Sequence, residues 1–196
     1  MDFKRHFEIG WQNTLKFIGP VILLTFVQLI VTIITLGILG PVTFAGFMKS
    51  LFLAAKEGRT PDVKDLFSEM PLFFPLLGIS IVLFIAVAIG FALLVVPGLA
   101  VIFVVVFACL YLIPLMIDQK EGVWDALKGS WEMAMTKPVS DQAIITIVYI
   151  ALMSIGGSVP FAILITQPLA IFIVLSVYEE RMAASHRRQP PPPPMQ

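Results

Sequence analysis

The chain has 196 residues, 58% of them hydrophobic and 13% charged, with basic and acidic side chains equal at 13 each. A soluble domain carries about 25% charged residues, so this composition, with a mean hydropathy of +0.94, describes an integral membrane protein. The zero net charge implies neither a nucleic-acid footprint nor a strongly basic membrane-surface patch, and the single Cys109 excludes an internal disulfide and any multi-cysteine metal site.

The first element is an amphipathic segment, Asp2 to Leu15. Phe3, Phe7 and Trp11 recur every four residues, opposite Lys4, Arg5, Glu8, Gln12 and Lys16. Phe17 to Leu36 follows as an apolar run of about 20 residues, long enough to cross a hydrocarbon core of roughly 30 Å. Basic residues precede it, as in a signal peptide, but the run is longer than an h-region and no small-residue cleavage site follows. It reads as an uncleaved first span, broken by Gly37, Gly40 and Pro41. Pro41 to Ala55 returns, and Lys49 is expected to snorkel to the nearer surface. This short run either spans or is re-entrant.

Thr60-Pro61-Asp62 predicts a helix start, with a Thr cap, a first-turn proline and an acid at the positive end of the dipole. Val63, Leu66, Phe67 and Met70 make the apolar stripe of this second amphipathic segment, and Asp62, Asp65 and Glu69 its acidic one. Leu72 to Val96 spans, Pro97-Gly98 turns the chain, and Leu99 to Ile117 spans back with a kink expected at Pro114. Lys120 to Pro138 is the third amphipathic segment. Trp124, Leu127, Trp131 and Ala134 share one face, and Asp125, Lys128 and Glu132 the other. A fifth span enters near Val139, Gly156-Gly157 and Pro160 turn it, and Phe161 to Tyr178 returns, with Glu179-Glu180-Arg181 as its exit.

These elements predict an all-α polytopic membrane protein. About six transmembrane helices form three hairpins with amphipathic interfacial helices, in one domain over 1–184. Residues 2–59, 60–119 and 120–181 form approximate repeats; the competing reading is that hairpins simply look alike. The basic, proline-rich tail 185–196 favours extended polyproline II, as a docking ligand or as a disordered end. Its five prolines are Pro190 to Pro194. The predicted turns carry no Asp, Glu, Lys or Arg. The positive-inside rule therefore puts the charged segments and both termini on the cytoplasmic side.

Candidate sites are few. Thr25, Gln28, Thr32 and Thr35 lie on one face of the first span. They are either a polar pathway or hydrogen-bonding groups for neighbouring helices and their own backbone. Trp11, Trp124 and Trp131 read as interface anchors. Gly46, Ser50 and Ala54, and likewise Ala162, Thr166 and Ala170, are small residues four apart that allow close helix packing. His6 and His186 suggest no paired metal ligands, and the acidic faces Asp62/Asp65/Glu69 and Asp125/Glu132 read as solvated helix faces. No nucleophile elbow or phosphate-cradling loop is present, so no catalytic residue, metal or cofactor is assigned. The partners implied are the lipid bilayer and other membrane-protein subunits or further copies of this chain.

Two stretches, GPVTFAGFMKSLFLAAKEGRTPDVKDLFSEM (Gly40 to Met70) and MIDQKEGVWDALKGSWEMA (Met116 to Ala134), carry a family resemblance. The marks are Gly40-Pro41, Gly46, the small residues to Gly58, Asp65-Leu66-Phe67, Asp118, Trp124, Ala126-Leu127-Lys128 and Ser130-Trp131. Together they resemble bacterial multi-spanning proteins related to the membrane domain found with some glycerophosphodiester phosphodiesterases. The resemblance implies a six-span inner-membrane protein without an assigned activity. The soluble phosphodiesterase domain is absent here, so no catalytic residue carries over. Function is expected to be that of a non-catalytic scaffold or accessory subunit of a membrane complex; the alternative is a transporter or channel for a neutral solute or lipid.

Overall fold

A computed structural model describes residues 2–159 and 161–188. Among them the protein is all-helical: α1 (Phe3–Lys16), α2 (Ile18–Ile34), α3 (Gly40–Glu57), α4 (Phe73–Leu93), α5 (Val95–Cys109), α6 (Leu112–Asp118), α7 (Val123–Ala134), α8 (Val139–Ser158) and α9 (Ile163–Arg188). Four runs are long and apolar enough to cross a membrane: Val63–Leu93, Val95–Asp118, Val139–Ser158 and Ile163–Ser185. A fifth is added if α1 and α2, bent by 87°, count as one broken span. The 18 residues of α3 include Lys49, Lys56 and Glu57 and do not qualify.

α9 is the axis of the fold. Leu169 to Leu175 are buried without interruption, followed by Val177 and Tyr178. A helix buried all round must be enclosed by others, and α1, α2, α3 and α8 all pack on it. The helix runs on past Glu179-Glu180-Arg181, the expected exit of the span, to Arg188. α4 is the opposite case: it is apolar on every side, yet it buries only Leu76 and Gly90. Such a helix presents its surface to lipid.

Several boundaries differ from the sequence expectation. The second amphipathic segment is no α-helix but two 3-10 turns, Val63–Phe67 and Met70–Leu72. Asp62, not Thr60, caps the first, accepting from the Lys64 N–H at 2.9 Å. Pro71 has no N–H to give the Phe67 carbonyl, so an α-helical ladder cannot continue there. Lys49 does not reach for the surface alone; its Nζ lies 2.5 Å from Glu69 Oε1 in the same segment. The chain turns at Leu94, in extended conformation (φ −171°, ψ 162°), and Pro97-Gly98 sits inside the first turn of α5. A proline needs no N–H partner in a first turn, so it starts the helix it was expected to end. Gly98 is required there for packing: a Cβ would lie 2.6 Å from the Phe91 ring. Gly156-Gly157 is the last turn of α8, not a loop.

The two amphipathic helices that do form share one design. α1 buries His6, Gly10 and Thr14 and exposes Phe7, Trp11 and Leu15. α7 buries Ala126, Ser130 and Ala134 and exposes Trp124 and Trp131. In each, a stripe of small residues, joined by His6 in α1, docks on the bundle, while Phe7 and Trp11 of α1 and Trp124 and Trp131 of α7 turn outward.

Candidate functional site

The polar side chains gather around the C-terminal half of α9 and around a break in the α5–α6 helix. Burial of α9 fixes the first group. Residues 176–181, Ser-Val-Tyr-Glu-Glu-Arg, point to several neighbouring elements at once. Ser176 Oγ is 2.8 Å from His6 Nδ1. His6 Nε2 lies 2.8 Å from Glu180 Oε2 but without the alignment of a hydrogen bond. Tyr178 donates to Asp118 Oδ2 (3.0 Å), which also accepts from Gln119 Nε2 (2.7 Å), while Asp118 Oδ1 is 3.4 Å from Lys56 Nζ. Arg181 donates to the Met133 carbonyl and lies over the Tyr111 ring. One helical turn and a half of α9 thus ties α1, α3, α6 and α7 together.

Ser176, His6 and Glu180 are the residue types of a nucleophile, base and acid. Their setting does not serve that chemistry. Ser176 is inside a continuous helix whose N–H groups are committed to its own ladder, so none is left to receive an oxyanion. The arrangement instead clamps α1 onto α9. Among the described residues no group of three His, Cys, Asp or Glu is placed to hold a metal ion.

The second group repairs a broken helix. α5 ends at Cys109 and α6 starts at Leu112. Pro114 cannot donate to the Leu110 carbonyl, and the chain breaks one turn before it. Ser130 of α7 fills the gap: its hydroxyl donates to the Ala108 carbonyl (2.6 Å) and accepts from the Tyr111 N–H (3.2 Å). Gln142 of α8 donates to the Phe107 carbonyl (3.1 Å) and accepts from the Tyr111 hydroxyl (2.8 Å). An apolar helix tolerates a break where neighbouring side chains satisfy the freed backbone groups.

The expected site residues fall as follows. Thr25, Thr32 and Thr35 each donate to a carbonyl of their own helix, those of Val21, Gln28 and Val31, all at 2.8 Å. Gln28 is buried and accepts from Gln167 Nε2 of α9 at 2.8 Å. This stripe therefore divides into three back-bonded threonines and one interhelical bond. Gly46, Ser50 and Ala54 are buried, but Gly46 and Ser50 face the 3-10 segment rather than a second long helix. Ser50 donates to Asp65 Oδ2 (2.7 Å), which Arg59 also reaches. Ala162 precedes α9, Ala170 is buried in it, and Thr166 Oγ1 sits where a Cβ on Gly156 would lie, 2.3 Å away. The close approach of α8 and α9 is made by that glycine. Trp11, Trp124 and Trp131 are 43%, 75% and 45% exposed, and Trp131 also packs edge-on against Phe107. The proline run of the tail lies outside the described residues.

Sequence reasoning missed His6, Gln142, Gln167, Asp118 and Tyr178 as ties. For one further tie, Ser130, the spacing of Ala126, Ser130 and Ala134 carried a signal, since three small residues four apart mark a docking face. No family model, curated protein or solved structure matches this chain. The resemblance to the bacterial multi-spanning proteins rests on the residues given for it above.

Proposed function

We propose that this protein is a non-catalytic scaffold or accessory subunit of a membrane complex. The observation that carries this reading is how the polar side chains among the apolar helices are used. Gln28 is spent on Gln167, Gln142 and Ser130 on the α5–α6 break, and Thr25, Thr32 and Thr35 on their own helix. These groups hold helices in place and do not present a polar lining to a solute. The same proposal takes six crossings in three hairpins, approximate repeats over 2–59, 60–119 and 120–181, and a bacterial inner membrane with cytoplasmic termini. It is supported by the absence of charge from 71 to 117 and by the positive-inside rule. Relation to the phosphodiesterase-associated membrane domain belongs to this proposal.

The test is extraction from the native membrane in a lipid-retaining system, with the mass and composition of the extracted species measured. A partner at fixed ratio is expected; a lone monomer would overturn the reading. The second reading, transport of a neutral solute or lipid, rests on Gln28. It requires that Gln28→Leu abolish flux in vesicles while the fold is kept.

A further inference from the structure

We propose that the groove between α4 and α7 binds one acyl chain of a membrane lipid. α7 packs mainly on α5 and α6 and only touches α4. Between the two helices lies a cavity of about 470 Å³. Phe74, Gly78 and Val82 line it from α4, and Val123, Trp124 and Leu127 from α7. At Gly78 a Cβ would meet nothing within 4 Å, so the floor of the groove is open space. No hydrogen-bonding side chain other than Trp124 lines the cavity.

The occupant follows from that chemistry. A polar solute or headgroup would lose its hydrogen bonds inside such a lining. An alkyl chain needs no partners and is thin. From Phe74 to Leu83, both in the lining, the wall runs nine residues along the helix, or about 14 Å, a length suited to a chain lying lengthwise. The groove is also continuous with the lipid-facing side of α4, where Phe74, Val82 and Phe84 are largely exposed. Trp124, 75% exposed at the rim, is the residue type that sits at headgroup level. That places the lipid head beside α7 and its tail along α4. The site is independent of the accessory-subunit reading.

The experiment uses the full chain in detergent micelles with Trp11→Phe and Trp131→Phe, which leaves Trp124 as the only tryptophan. A phospholipid with brominated acyl chains is titrated in, and Trp124 fluorescence is followed. The expected result is saturable quenching at one lipid per protein. Gly78→Phe, which fills the groove, should weaken apparent binding at least tenfold; Val82→Trp in a Trp124→Phe background, followed by native mass of the retained lipid, serves if that variant does not fold. Quenching that rises linearly and equally in the Gly78→Phe protein would overturn the proposal. So would a concentration-dependent dimer that protects Trp124 from the lipid, because the groove would then hold a second copy.

Discussion

Gly46 shows how much one hydrogen atom in place of a methyl can decide. An ideal Cβ there would stand 2.3 Å from the Asp65 carbonyl oxygen and 2.4 Å from that of Leu66. Those atoms are backbone, in a segment whose Asp65 side chain is bonded by Ser50 and Arg59 and whose first turn is capped by Asp62, so they cannot swing aside as a side chain would. Gly46→Ala is therefore expected to destabilise by about 1–3 kcal/mol, the range for overpacking. The intrinsic helix gain of alanine over glycine, roughly 0.5–1 kcal/mol, works in the other direction. Gly19 supplies the control, because its Cβ would meet nothing within 4 Å; Gly19→Ala should be neutral or stabilising. Thermal unfolding of both variants in the same detergent checks this, and equal effects would refute it. Of this contact, the sequence shows the small residue and hides the neighbour. Gly46, Ser50 and Ala54 are visible as a stripe, but spacing on one helix says only that something comes close, not that a charged connector does.

At the scale of elements, the helix break between α5 and α6 is the clearest case of local physics needing distant help. Pro114 predicts a kink; the helix is interrupted at Leu110-Tyr111, and the place of that break is set by what can accept the freed groups. Ser130 is 19 residues from Tyr111, and Gln142 is 35 from Phe107; no local rule links them. Ser130→Ala would orphan the Tyr111 N–H and the Ala108 carbonyl, and Gln142→Leu the Phe107 carbonyl. An unsatisfied buried group costs about 1–3 kcal/mol. Each variant should lower the unfolding midpoint and raise hydrogen exchange of the backbone at 107–112, while exchange in α8 stays unchanged. The two losses share one break and should not add. Unchanged exchange at the break would mean that Ser130 and Gln142 are not its support. The amphipathic elements teach a related lesson. Phe7 and Trp11 of α1 and Trp124 and Trp131 of α7 face outward, while Phe3 and Leu127 pack against the core and Ala134 is buried beside Ala126 and Ser130. The second amphipathic segment had the same apolar spacing, but Pro71 and its ties to Lys49 and Ser50 hold it as 3-10 turns. Apolar periodicity reports which side is greasy; it does not decide whether the backbone hydrogen bonds of an α-helix can all be made.

At the scale of the whole molecule, α9 is where the chain closes on itself, and the Gln28–Gln167 bond joins it to a helix 139 residues away in sequence. The first-span stripe was legible as polar residues on one face, while its meaning was not. Three threonines turn back on their own helix, and the one residue that reaches outward has a partner that no spacing could identify. Interhelical hydrogen bonds among apolar helices contribute about 0.6 kcal/mol on average and up to about 1.7. Gln28→Leu and Gln167→Leu should each cost at least that much, because each leaves an unpaired amide behind. The double variant should cost less than the sum, with a coupling energy of the size of the bond. A double-mutant cycle of unfolding in micelles measures it. The same variants bear on function. If the bond serves only to dock α2 on α9, the Leu/Leu pair, apolar and similar in bulk, should restore both the fold and whatever stoichiometric partner the native protein carries. A double variant that folds as the native protein does yet loses its activity in vesicles would instead make the glutamine pair part of a solute pathway, and would move the protein from scaffold to transporter.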